Sequence, residues 1–274
     1  MRQNAILLFS KVPEAGKTKT RLSTIKDGRL TPEWAAYLYH CMLFDVAECC
    51  CSIVQHMQNE TDSYRIIISS PGVEQREAME QLFAESGDWP CEFTFISDTG
   101  TSFDEHYNDS FAQVWEMGFD TILSMGCDMP ALTGDIIMTG FNYLHEFCER
   151  DMSGIVLSPD QEMGVSIVGW TRQTPFDHTG VFYNADGLTV LPAYIQKAQR
   201  LGLPVMYLPA MPDVDTMADL RHNVTLIQAI EYCAPHQWAL TTPWRTLDAV
   251  RQLGYRDIRV MPNDLRDDRS EIDK

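Results

Sequence analysis

The sequence predicts an α/β fold built on a doubly wound, mostly parallel sheet of Rossmann type. Three observations carry that expectation. Short apolar runs alternate with helix-period patterns through most of the 274 residues. The early runs, AILLF, RIIIS and TILSMG, are nearly continuous in apolar or small residues, as in strands covered on both faces. Several helical patterns open on capping residues, so strand and helix boundaries fall where an alternating unit needs them.

The elements follow in order. Ala5–Ser10 is the first strand, followed by a loop holding Pro13, Gly16 and several cations. Thr31, Pro32 and Glu33 start the first helix as N-cap, first helical residue and first-turn acid. Tyr64–Ser70 is the second strand, and a helix follows Pro71 and Gly72. Glu92–Ser97 precedes a third helix, where Ser102 and Glu105 form a capping-box pattern. Thr121–Gly126 precedes a fourth, capped by Thr133. Gly154–Ser158, Val165–Trp170 and Pro204–Leu208 are further strands, and Asp215 or Thr216 caps a late helix, TMADLRHNVTLIQAIEY. Residues 1–232 are therefore expected as one domain. Residues 233–262, with the amphipathic WRTLDAVRQLGY, are expected as a helical appendage, and 263–274 as a charged, disordered tail.

A net charge of −18 argues against a nucleic-acid partner, whose phosphates call for a basic face. No uninterrupted apolar run approaches the roughly 18 residues of a membrane span, so no membrane partner is expected. The N-terminal apolar residues end at Phe9 and read as a core strand rather than a leader. The eight cysteines contain no C-x-x-C pair, and Cys49, Cys50 and Cys51 would splay apart on a helix. They read as free thiols in a reducing cytoplasm, serving as small core groups.

Three stretches could carry chemistry. In the acidic chain, Lys11, Lys17, Lys19 and Arg21 crowd the loop after the first strand. It is no Walker A loop, because Lys11 stands where that motif needs its first glycine. It could wrap a triphosphate with N–H groups and cations, or be a solvated basic loop. Next, ILSMGCDMPAL sets Asp128 just past an apolar strand, between Gly126 and Pro130, placed to hold a divalent cation on phosphate oxygens. Last, PAMPDVDTMADL presents Asp213 and Asp215 on one side of an extended segment, as cation ligands or as a helix cap.

Together, FSKVPEAGKTKTRL, SMGCDMPAL and PDVDTMADL resemble a bacterial family with the nucleotide-diphospho-sugar transferase, or glycosyltransferase A-like, fold. Phe9, Lys11, Pro13, Gly16, Lys19, Thr20, Arg21 and Leu22 fit its opening loop. Gly126, Asp128, Pro130 and Leu132 fit its strand end, and Asp213 through Thr216 with Asp219 and Leu220 fit its late motif. The loop is also similar to that of 2-phospho-L-lactate guanylyltransferase, and the late motif to that of CMP-sugar synthetases. The resemblance spans roughly residues 5 to 222 and implies a magnesium ion, with manganese as the alternative, held by Asp128 and Asp215, with Asp213 as a further ligand. It implies nucleotide contacts from Phe9, Lys11, Ala15, Gly16, Lys19, Arg21, Asp98 and Gly100, with catalytic roles for Lys11, Lys19, Arg21 and Asp128. Asp160 and Gly164 would face the acceptor, in a segment where Met163-Gly164-Val165 replaces the family's Gly-Gly-Tyr. Ser102 and Asp104 could contact nucleotide or acceptor, or simply start a helix.

The implied function is nucleotidyl transfer from an NTP to a small phosphorylated or phosphonate acceptor, because departing pyrophosphate would use several cations beyond the metal. Glycosyl transfer from an NDP-sugar is the alternative, and a nucleotide-binding regulator without turnover a third reading. A homodimer through residues 233–262 is a further expectation. Asp45 is expected as a hydrogen-bonded boundary carboxylate. His106, His178 and His222 are expected as surface or packing residues, having no His or Cys partner at metal spacing.

Overall fold

A computed structural model describes residues 1–254. Its strands are β1 (Arg2–Phe9), β2 (Asp62–Pro71), β3 (Phe93–Asp98), β4 (Thr121–Gly126), β5 (Ile155–Pro159), β6 (Val165–Thr171) and β7 (Val205–Tyr207). Its helices are α1 (Pro32–Met57), α2 (Gly72–Glu85), α3 (Phe103–Glu116), α4 (Gly134–Glu149), α5 (Val190–Leu201), α6 (Met217–Cys233) and α7 (Trp244–Leu253). The strands form one sheet in the order β3-β2-β1-β4-β6-β5-β7, with β6 antiparallel to both neighbours and the remaining pairs parallel.

Alternation along each strand splits the core. Ile6 and Leu8 face α1, α4 and α6, while Ala5 and Leu7 face α3 and α5. The chain therefore covers both sheet faces, as the continuous apolar strands required. Chain order reverses between β1 and β4: β1 leads through α1 to β2 on one side, and β4 arrives on the other from β3. Loops leaving β1 and β4 at their carboxyl ends therefore diverge and leave a crevice.

Several local expectations are corrected. Helix α5 was not anticipated; Pro192 stands in its first turn, where no N–H bond is needed, and Gly202 closes it in the left-handed conformation at φ +66°. Thr133 occupies the N-cap position of α4 but makes no side-chain cap. Ser102 caps α3, yet the Glu105 carboxylate accepts from the Thr101 N–H at 2.6 Å instead of completing a box with Ser102. Cys51 and Cys91 form a disulfide, with Cα atoms 5.6 Å apart, since the late turns of α1 pass the approach to β3. The expectation of free thiols throughout therefore fails at this pair.

Among the described residues α1 is the one helix long and apolar enough to cross a membrane, but most of it is buried inside the protein. Helix α7, expected in an appendage, lies against α1 and places Ala249 and Val250 in the same core as β1. The charged stretch at 263–274, and the end of the 233–262 segment, lie outside the described residues.

Candidate functional site

The crevice between β1 and β4 gathers groups from three distant segments. In the loop after β1, Gly16 adopts φ +80° and Lys19 φ +47°, two left-handed residues that turn the chain so that Lys19 reaches the carboxyl end of β4. The Thr18 hydroxyl pins this turn, accepting from the Glu14 N–H and donating to its carbonyl, both at 3.0 Å. The Lys19 side chain is thereby buried, 9% exposed, with its ammonium 2.6 Å from Asp128 and 2.7 Å from Asp215. Arg21 reaches the other Asp215 oxygen at 3.3 Å.

Both carboxylates are placed by backbone. A Cβ on Gly126 would come within 2.8 Å of Asp128 Oδ1, so the glycine leaves room for that side chain. The Val214 N–H donates to the Asp128 carbonyl at 3.0 Å, which fastens the Asp213–Asp215 segment beside the β4 tip. Thr216 and Asp219 form a reciprocal capping box on α6. That frees Asp215 from the capping role and lets its carboxylate turn to Lys19.

The charges are strongly coupled. Burial pulls the Lys19 pKa down, but Asp128 and Asp215 outweigh it, and the ammonium is held protonated above its usual range. Asp215 resists burial because of Lys19 and Arg21, and its carboxyl lies below the ordinary value. Asp213 points elsewhere, accepting from Gln161 at 2.8 Å; burial and the Asp128 charge push it up to about 7.

A cavity of about 550 Å³ opens over this cluster and runs along the carboxyl ends of β4, β1, β2 and β3. Of the residues expected from sequence, Phe9, Lys11, Lys19, Arg21, Asp98, Asp128 and Asp215 line it. Ala15, Gly16, Gly100 and Asp213 do not. Gly16 serves the turn, and a Cβ on Gly100 would lie 2.7 Å from the Glu105 Cβ, so this glycine serves packing. Asp160 and Gly164 also lie outside the lining; Asp160 Oδ1 accepts the Glu162 and Gly164 N–H groups at 2.7 Å each, closing its own turn. Asp104 holds the Gly180 and Phe182 N–H groups and thus anchors the segment before α5.

Sequence reasoning assigned no site role to the lining residues Ser10, Tyr39, Pro71, Phe103 and His106. His106 Nδ1 lies 2.6 Å from the buried Asp98, a pairing that no metal or triad spacing would have flagged. His178 is a packing residue, enclosed by Tyr107, Phe111 and Trp170, and burial lowers its pKa to about 3.

Oxygen donors suit a hard cation, and magnesium commonly takes one or two carboxylates and completes its shell with water and phosphate. Asp128 and Asp215 meet that requirement, being close enough to share one ammonium. Among the described residues there is no group of three or more His, Cys, Asp or Glu side chains poised for a metal. Any metal here would therefore rely on its ligand to complete the shell.

Residues 53–185, just under half of the chain, match the family described as "Uncharacterized protein conserved in bacteria (DUF2064)". No curated protein matches the chain in sequence. Among solved structures it is similar to a candidate nucleotide-diphospho-sugar transferase from Desulfovibrio desulfuricans, at 21% identity and TM-score 0.69, covering 95% of this chain and 100% of that one. That likeness shows the shared fold. A cytidylyltransferase from Leptospira borgpetersenii matches at 10% identity and TM-score 0.48, over 92% of this chain and 95% of that one. A 4-diphosphocytidyl-2C-methyl-D-erythritol synthase from Anaerococcus prevotii matches at 12% and 0.44, over 83% and 96%.

Proposed function

We propose that the chain is a nucleotide-using transferase that moves a nucleotidyl group from an NTP to a small phosphorylated or phosphonate acceptor, releasing pyrophosphate. The carrying observation is the convergence of Lys19 at the sheet's reversal point with Asp128 and Asp215, which lie 109 and 196 residues further along the chain. A cation held between two carboxylates, with Arg21 alongside, is an arrangement that a charged ligand and its counter-ion can enter by exchange.

Each residue has a part in this reading. Lys19 leaves the carboxylates for phosphate oxygens when the nucleotide enters, and Arg21, 60% exposed, swings onto the departing pyrophosphate. Lys11 and Lys17 extend the positive rim where leaving-group charge develops. Asp128 and Asp215 would hold magnesium, which when bound neutralises phosphate charge and polarises the reacting centre. The protein needs no nucleophile of its own, because positioning and charge neutralisation carry such transfers.

The test combines each NTP with Mg²⁺, inorganic pyrophosphatase and pools of phosphorylated acceptors. Acceptor-dependent phosphate release supports the proposal. Nucleoside diphosphate release from an NDP-sugar replaces it with glycosyl transfer. Stabilisation by nucleotide without turnover makes the chain a binding protein, in line with its altered 161–166 segment. Unchanged Mg²⁺-dependent nucleotide affinity in Asp128→Asn removes the metal assignment.

A further inference from the structure

From the β1 tip towards β3 the cavity lining changes character, with Phe9 and Phe103 in the middle and Pro71, Asp98 and His106 beyond them. The register pairs Phe9 with Gly126 across β1 and β4, and Pro71 with Asp98 across β2 and β3. With strands about 4.8 Å apart, the Asp98 end lies roughly 14 Å across the sheet from the β4 tip. One end of the cavity is thus charged, and the other offers aromatic faces and a single imidazole.

That imidazole is oriented from below. Asp98 is 2% exposed, and its Oδ2 accepts from the Ser69 hydroxyl at 2.6 Å, while Oδ1 lies 2.6 Å from His106 Nδ1. The Ser110 hydroxyl lies 2.9 Å from both Ser69 Oγ and the His106 carbonyl, and its single proton can serve either one. A carboxylate can only accept, so Nδ1 must carry the proton, and in the neutral ring Nε2 is left as a lone-pair acceptor. This ring is about a quarter exposed, at 26%, and Nε2 makes no hydrogen bond among the described residues.

Resting on the proposed nucleotide reading, we infer that His106 is the specificity-determining residue for the base, accepting a hydrogen bond from an exocyclic amino group while Phe9 and Phe103, which meet edge to face 6.4 Å apart, offer apolar surface beside the ring. Asp98 is the positioning residue that fixes the tautomer. A carbonyl at the same place on the base would set two lone pairs against each other. The favoured ligand class is therefore an amino-bearing nucleotide. A phosphate-only ligand would leave this end of the cavity unused.

The experiment compares near-isosteric pairs that exchange amino for carbonyl, CTP against UTP and ATP against ITP, by calorimetric titration with Mg²⁺. Wild type is expected to favour the amino member of at least one pair by about tenfold, the worth of one hydrogen bond. His106→Leu should bring that ratio near one. Asp98→Asn should drive it below one, because an amide that accepts from Ser69 offers N–H to Nδ1 and turns Nε2 into a donor. No amino preference in the wild type, or a ratio unchanged in His106→Leu, overturns the inference while nucleotide binding itself persists. Absence of binding by every nucleotide defeats the broader reading instead.

Discussion

Lys19→Met isolates the central ion cluster. The substitution keeps most of the aliphatic stem and removes the ammonium that lies 2.6 and 2.7 Å from two carboxylates. Stripping one partner from a fully buried ion pair costs about 3–5 kcal/mol. Here the Asp128 and Asp215 side chains are 24% and 41% exposed, and Arg21 remains on Asp215, so water and the guanidinium recover part of that loss. A net destabilisation of about 2 kcal/mol follows. For a domain of this size that lowers Tm by about 4–8 °C. The distinctive part is the response to cations. Two carboxylates without their lysine should gather a divalent ion, so millimolar MgCl₂ should raise the Tm of the variant well beyond its effect on wild type. Sodium chloride at matched ionic strength should not, since general screening does not bridge two groups. Differential scanning calorimetry of both proteins in the two salts decides. A variant as stable as wild type, or one that responds equally to sodium and magnesium, would refute the idea that Lys19 stands in a cation site.

Three further outcomes follow from other sites. Asp45 is buried beneath α7, accepting from the Thr246 N–H at 2.7 Å, and burial raises its carboxyl from 3.8 to about 6 despite Arg245. The folded chain therefore holds a proton that the unfolded chain releases at lower pH, so this group's contribution is full below pH 4 and is lost as pH rises through 6. That change is worth roughly 3 kcal/mol at most, and urea titrations from pH 4 to 7 should show its slope in wild type and its absence in Asp45→Asn. Gly126→Ala should lower Mg²⁺-dependent nucleotide affinity about tenfold by displacing Asp128, with circular dichroism unchanged, because the added Cβ meets only that carboxylate. Alkylation of unfolded, unreduced protein followed by mass measurement should find six reactive thiols, and all eight cysteines after reduction, since only Cys51 and Cys91 are joined.

What the sequence disclosed divides along a physical line. Strand positions were legible in β1, β2 and β4 because burial on both faces writes itself as a nearly uninterrupted apolar run, and all seven strands overlap the segments expected. Asp128 and Asp215 were legible as residues because each follows a local pattern, a strand end with glycine before it and a capped helix start. Their meeting was legible only through the family resemblance and from no local pattern, since it depends on one backbone bond from Val214 to Asp128 and on a lysine in a left-handed turn. Asp98 and His106 illustrate the same point more sharply. Eight residues apart, they match no ligand spacing, and they pair only because α3 leaves the tip of β3 and lays its first turns back over it. Cys51 and Cys91, forty residues apart, escaped for that reason too.

The misread residues are those whose partner is chosen by strand order. Right-handed crossovers fix where each helix returns, and hence which loop tips become neighbours. With β1 between β2 and β4, the cationic loop has the acidic tip on one side and the imidazole end on the other. One reversal in chain order thus sets both the charge cluster and the cavity beside it. A ligand spanning that cavity would be charged at one end and ringed at the other, and separate losses in Lys19 and His106 variants would measure the two halves independently.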